Sequence, residues 1–117
     1  MIKVPTEQGE ITISSAVFTT ITGAAATNCF GVKGMAVRSM TDGLVHLLRK
    51  EAMGKGVKVT FNADNSLSID LHIMVDKSVN LSAIASSIIS EVRYFVTKST
   101  GTEVRAVNVF VDSISVD

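Results

Sequence analysis

Hydrophobic side chains recur along this chain at two different spacings, which separate its predicted helices from its predicted strands. Over residues 15–30 and 81–99 they recur every three or four positions, the spacing of an amphipathic helix with one buried side. Ser14 and Asn80 stand where the helices need an N-cap, and Gly101 suits the left-handed position that ends the second helix. The predicted buried stripes are Val17, Phe18, Ile21, Ala24 and Ala25 in the first helix, and Leu81, Ile84, Ala85, Ile88, Val92, Phe95 and Val96 in the second.

Alternation of apolar and polar residues predicts the strands. It is clearest on either side of Asp64-Asn65, whose turn chemistry predicts a β-hairpin. The last strand changes face at Asp112-Ser113, where we expect a β-bulge or an end of pairing. The predicted strands cover residues 10–13, 35–40, 57–61, 67–75 and 104–116.

Two further segments complete the predicted architecture. Residues 42–53 predict a short helix with its leucines inward, and residues 1–9 carry few periodic apolar positions and predict a loose N-terminal arm. The resulting order of strands and helices predicts a mixed α/β chain, specifically of the α+β class. Its single domain over residues 10–117 is a two-layer sandwich, with one mixed sheet, two longer amphipathic helices and one short helix.

Composition narrows the class of protein. The 117 residues include eleven basic and eleven acidic side chains, and a net charge of zero argues against bulk polyanion binding. The one cysteine, Cys29, excludes an internal disulfide, and we expect it to be buried and unreactive. No apolar run reaches 18 residues, and the first residues show no charged segment followed by an apolar one. We therefore expect a cytoplasmic protein with neither a membrane span nor a signal peptide.

Ser68, Asp70 and His72 invite a catalytic interpretation because all three point to one face of the same strand. Residues two apart on a strand are separated by about 6.6 Å, whereas a nucleophile and its base must lie within about 3 Å. This spacing favours a solvated or interface face. An enzyme that uses Asp70 and His72 is therefore the least favoured of three hypotheses about function. His46 has no second histidine four positions away, so we predict no metal site. We also predict no cofactor and no catalytic residue.

Charge is distributed unevenly along the chain. Residues 31–58 carry a net charge of +4 and the remainder carries −4. This division predicts a docking surface for an anionic partner or head-to-tail self-association, and a scattered solvated surface is an equal alternative. The cations of the predicted docking surface are Lys33, Arg38, Arg49, Lys50, Lys55 and Lys58.

Gly31 and Gly34 enclose Lys33 in a pattern that lets KH domains bring a loop close to a nucleic-acid backbone. A helix end followed by a turn is the favoured interpretation of these glycines. The alternative function is therefore a nucleic-acid-binding regulator that uses this loop and the basic segment.

Several segments in a fixed order carry a resemblance to a known family. They are GEITIS at residues 9–14, GAAATNCFGVKGMA at 23–36, DGLVHLLRKE at 42–51, TG at 100–101 and VNV at 107–109. Together they resemble the alkaline shock protein family, also called the Gls-type envelope stress response family, and in particular its YloU-type branch. One departure is Lys77-Ser78, where members often carry Tyr-Gly after the hairpin.

The resemblance implies a small bacterial protein of Gram-positive lineages that is linked to cell-envelope or alkaline stress. Some relatives are held at the membrane by a separate anchor protein, and others are linked to fatty-acid metabolism. No catalytic residues are established for the family, so none are carried over. We therefore predict a non-enzymatic adaptor or scaffold that binds protein partners, self-associates, and sits in the cytoplasm or at the inner face of the membrane through a partner.

Overall fold

A computed structural model describes residues 1–29, 32–38, 45–47 and 56–115 of the chain. The described part contains two helices and seven strands. In chain order they are β1 (Ile2–Thr6), β2 (Gly9–Ile13), α1 (Ser15–Thr27), β3 (Val32–Arg38), β4 (Val45–Leu47), β5 (Val57–Phe61), β6 (Leu67–Asp76), α2 (Leu81–Thr100) and β7 (Val104–Ser115).

Strand β6 is the centre of a five-stranded sheet formed by β3 to β7. Every pair of neighbouring strands in this sheet includes β6, except the pair β3–β4. It pairs with β7 in parallel over its whole length. Antiparallel β5 and β3 lie one after the other along its opposite edge, and β4 extends the sheet beyond β3. The α+β class and the mixed sheet predicted from the sequence are confirmed. The described strands form two sheets rather than the one predicted, because β1 and β2 pair with each other in a separate two-stranded sheet.

The two faces of β6 differ completely in burial. Every second side chain has no exposed surface, and those between them are half-buried. Helices α1 and α2 cover the buried face, where Phe18 of α1 meets Phe61 of β5 edge to face with ring centroids 6.0 Å apart. The main core side chains are Phe18, Leu67, Ile69, Leu71, Ile73, Val75, Ile84, Ile88, Val92 and Val96.

Helix α2 begins and ends as its sequence predicts. The Asn80 side chain accepts a hydrogen bond from the Ala83 backbone N–H at 3.0 Å, and Gly101 ends the helix with a φ of 72°. In α1, Ser14 is the N-cap residue but its side chain makes no cap hydrogen bond. The buried stripe of α1 is also rotated from the prediction. Val17 is exposed while Thr22 and Gly23 are buried, because the packed side is the one carrying the small residues.

The hairpin turn and the predicted bulge are both present. Asn65 has a φ of 68°, and the Asp64 carboxylate accepts hydrogen bonds from the backbone N–H and hydroxyl of Ser66. The β6–β7 register steps from Ile73–Val111 to Met74–Ser113, which leaves Asp112 as the extra residue.

Two local predictions are wrong. Residues 1–9 are not a loose arm, because Ile2–Thr6 pairs with β2 and the Ile2 side chain enters the core at 2% exposure. Val45–Leu47 is a strand paired with β3 where the sequence predicted a short helix over 42–53. The rest of that predicted helix lies outside the described residues. Short apolar runs fit a helix and a strand equally well, and here a neighbouring strand supplies the partner.

Candidate functional site

The polar side chains that the sequence singled out lie on the face of the sheet opposite the helices. Ser68, Asp70 and His72 alternate along β6 on this side, and each is half-buried. We call this surface the polar face. Its side chains from β6 and β7 are Ser68, Asp70, His72, Met74, Asn108 and Phe110.

Ser68 and Asp70 each make a hydrogen bond away from β6 rather than with each other. The Asn62 amide donates to the Ser68 hydroxyl at 3.2 Å, and the Asn108 amide of β7 donates to the Asp70 carboxylate at 2.9 Å. Both bonds join β6 to residues outside the row of three side chains. They stabilise the sheet and hold each polar group toward its own neighbour.

His72 has the most developed surroundings on the polar face. Its Nδ1 lies 2.8 Å from Oδ2 of Asp112, and its ring stacks on Phe110 with centroids 4.8 Å apart and planes 13° from parallel. The Asp112 side chain is only 8% exposed, whereas His72 is 38% exposed. A carboxylate buried this far requires a hydrogen-bonding partner, and His72 supplies it.

Ser68, Asp70 and His72 therefore do not form a catalytic triad, because each faces a different partner. Three surface grooves formed by described residues lie elsewhere, with volumes of about 570, 330 and 300 Å³. The largest runs along the outer side of α2 beside Arg93, Tyr94 and Lys98, and the smallest lies between α1 and Phe95. None of these three grooves is lined by the triad-like residues.

The structure places only part of the predicted docking surface. Lys58 is exposed on β5 and stands opposite Asp70 in the ladder. Lys33 is the extra residue of a bulge in β3, and Arg38 ends that strand. Arg49, Lys50 and Lys55 lie outside the described residues, so a shared surface for the six cations stays a prediction.

The glycine pattern is not a free loop along its whole length. Gly34 lies in β3 and pairs with Met74, while Gly31 lies outside the described residues. The backbone of Gly34 is therefore already engaged in the sheet. His46, predicted to lie on a helix, is in β4 opposite Val37.

Cys29 is buried just beyond the C-terminal end of α1. Burial raises the pKa of its thiol, a hydrogen bond with Ser87 lowers it, and the nearby Glu91 carboxylate raises it again, the net shift being upward. A raised pKa disfavours the thiolate, which is the reactive form of cysteine.

Among the residues the structure describes, no group of three or more His, Cys, Asp or Glu side chains could hold a metal ion. None of the described helices is long and apolar enough to cross a membrane.

Sequence reasoning found the row on β6 but not its partners on β7. Asn108, Phe110 and Asp112 meet β6 only through the parallel pairing of strands that are separated by α2 in the chain. The one available signal was the change of face at Asp112, which located the bulge but not the residue it approaches.

Comparison with known proteins adds the family. Residues 3–116 match the model of the alkaline shock protein 23 family, which is described as having a cell envelope-related function. The chain belongs to the alkaline shock protein 23 family. The matched range runs from β1 to the end of β7, so the family assignment covers the whole described fold.

Similar proteins extend over nearly the full chain. Uncharacterized protein YloU of Bacillus subtilis is 34% identical over 98% of this chain and 96% of its own length. Uncharacterized protein Spy1614 of Streptococcus pyogenes is 35% identical, and uncharacterized protein YqhY of Bacillus subtilis is 30% identical. Their matches cover 98% and 96% of this chain, and 95% and 82% of their own lengths. No solved structure matches the chain.

Proposed function

We propose that this protein is a non-enzymatic adaptor or scaffold of the cell envelope that works by binding other proteins and by self-association. Membership of a family with a cell envelope-related function is the observation that carries the proposal. In this proposal the protein links other proteins at the cell envelope, and a membrane-anchored partner holds it at the inner face of the membrane.

The polar face supports binding over catalysis. Asp70 and His72 are occupied by Asn108 and Asp112, and Phe110 beside them is 45% exposed. An exposed aromatic ring with fixed polar neighbours is typical of a protein-binding surface, because it offers apolar area together with oriented hydrogen-bonding groups.

The basic segment 31–58 supports an acidic partner. Its net charge of +4 attracts a negatively charged surface and speeds the encounter. The proposal requires that this attraction depends on the position of the charges, since the whole chain has no net charge.

The test is retention of partners from a lysate of the source organism, identified by mass spectrometry, followed by binding of the purified partner. The bait is compared with an Arg49→Glu, Lys50→Glu variant and with a matched Lys3→Glu, Lys98→Glu control, which changes the net charge equally outside the segment. Circular dichroism first establishes that both variants fold. A partner held by the wild type and the control but lost by the first variant supports the adaptor.

Two results count against it. Equal loss by both variants attributes the binding to net charge alone. Retention of nucleic acid, with an affinity that falls steeply as salt rises, favours the nucleic-acid-binding regulator instead.

A further inference from the structure

Strand β7 forms one margin of the sheet. It pairs with β6 from Val104 to Ser115, and within the described residues no other strand pairs with it. Outside the β6 ladder and within the described residues, its backbone accepts one hydrogen bond, from the Arg93 guanidinium to the Val104 carbonyl at 2.7 Å, at the start of the strand. The outward backbone groups of residues 106–111 therefore have no protein partner in the described part of the molecule.

This edge lacks most of the features by which proteins protect an exposed strand. Natural edges are shortened, or interrupted by bulges, or carry lysine or proline. Strand β7 is 12 residues long and contains no lysine or proline. Its two bulges lie at Arg105 and Asp112, so the stretch between them is regular and uncharged: Ala106, Val107, Asn108, Val109, Phe110 and Val111.

We propose that residues 107–111 pair antiparallel with the same residues of a second copy of this chain, with Val109 on the two-fold axis. The inference rests on the self-association part of the proposed function and names the surface responsible. Such a pairing is closed and symmetric, so it yields a dimer rather than a filament.

Side-chain alternation decides the register. Directly opposite residues of an antiparallel pair share a face, so the axis must pass through a residue rather than between two. An axis at Val109 places Val107 opposite Val111 of the second copy on the helix side. An axis at Asn108 would place Val111 opposite Arg105, the bulged and charged residue. The apolar row is therefore continuous in the first register and broken in the second.

The side chains along this edge are partly exposed and uncharged, which suits contact with a second copy of the same strand. Val109 and Val111 are on the helix side of the strand but only half-buried, and Phe110 is 45% exposed on the polar face. In the Val109-centred register a second copy brings valines against the valines and Asn108 against Phe110. Neither side brings a charge between the bulges, so a copy of this chain meets no repulsion.

Charge placed at residue 109 tests the register directly. We expect wild-type protein to sediment as a species of twice the 12.4-kDa chain mass, and Val109→Asp to sediment as a monomer. Val109→Asn is the matched control, because it has the same shape without the charge. Val109→Asp should dimerise about tenfold or more weakly than Val109→Asn, since two carboxylates would stand opposite each other. Val109→Lys alone should also be monomeric, and an equimolar mixture with Val109→Asp should recover a heterodimer.

Cross-linking provides a second measurement that does not depend on the charge variants folding. In a Cys29→Ala background, Val109→Cys should form an intermolecular disulfide under mild oxidation, whereas Thr60→Cys, on exposed β5, should not. Wild-type protein that stays monomeric up to about 1 mM, beyond the range of most specific associations, would overturn the inference. So would equal dimerisation of Val109→Asp and Val109→Asn, which would place the contact on another surface.

The inference and the proposed function can fail separately. Val109→Asp as bait in the partner experiment retains its partner if the adaptor role is independent of the dimer. A monomeric wild type that still captures the partner refutes this inference and leaves the partner-binding part of the proposed function standing.

Discussion

Leu71 offers the most direct test of the one-sided burial of the sheet. It lies in the central strand between Val57 of β5 and Val109 of β7, and its side chain has no exposed surface. Truncating it to alanine removes three buried carbon groups, worth about 2.4 kcal/mol at about 0.8 kcal/mol each. A strand on each side and the helices above restrict collapse of the void. The cavity cost is therefore added, and we expect Leu71→Ala to lower the free energy of unfolding by about 3 to 4 kcal/mol.

Met74→Ala is the matched control, because Met74 has a similar size, lies on the same strand and points to the polar face, where it is half-buried. We expect it to cost about 1 kcal/mol, since a partly exposed side chain loses less transfer free energy. The measurement is urea unfolding followed by circular dichroism, comparing midpoints at an unchanged slope. Equal losses for the two variants would refute the assignment of the core to one face of β6.

Three further predictions concern the ends of elements and two titrating groups. Gly101→Ala should cost about 1 kcal/mol in the same urea assay, because a Cβ there meets no atom within 4 Å and the cost comes from the positive φ alone; no loss would contradict the left-handed cap. The pKa of Asp64 is lowered, chiefly by the Ser66 hydroxyl, so its stabilisation is present above about pH 4 and lost as pH falls through the lower folded value. The melting-temperature difference between wild type and Asp64→Asn should therefore shrink on acidification, and a difference that grows would contradict it. Cys29 should react with a thiol reagent at neutral pH far more slowly in the folded protein than in urea, because burial raises its pKa and restricts access; equal rates would contradict this.

The polar face resembles a reaction centre in its sequence but not in the arrangement of its side chains. Asp70 and His72 are the residue types of acid–base chemistry, yet each is held by a neighbour on β7 rather than by the other. Their hydrogen bonds fix the sheet surface around Phe110.

Local signals determined the elements that carry their own stabilising pattern. The Asn80 cap, the Gly101 end and the hairpin around Asn65 are encoded within a few residues, and all are present. The predicted stripe of α2 is buried at Ile84, Ile88, Val92 and Val96, whereas Leu81 and Phe95 are exposed. The sequence also predicted the bulge at Asp112, because a change of face in an alternating strand requires an extra residue.

Tertiary contacts decided what depends on partners distant in the chain. The segments Ile2–Thr6 and Val45–Leu47 have too little periodicity to predict a strand. They form strands because the backbones of β2 and β3 pair with them. In the same way the parallel pairing across α2 brings Asp112 to His72 and leaves the outer edge of β7 without a described partner. A sequence specifies which face a side chain takes, but the strand that will lie beside it depends on how the whole chain packs.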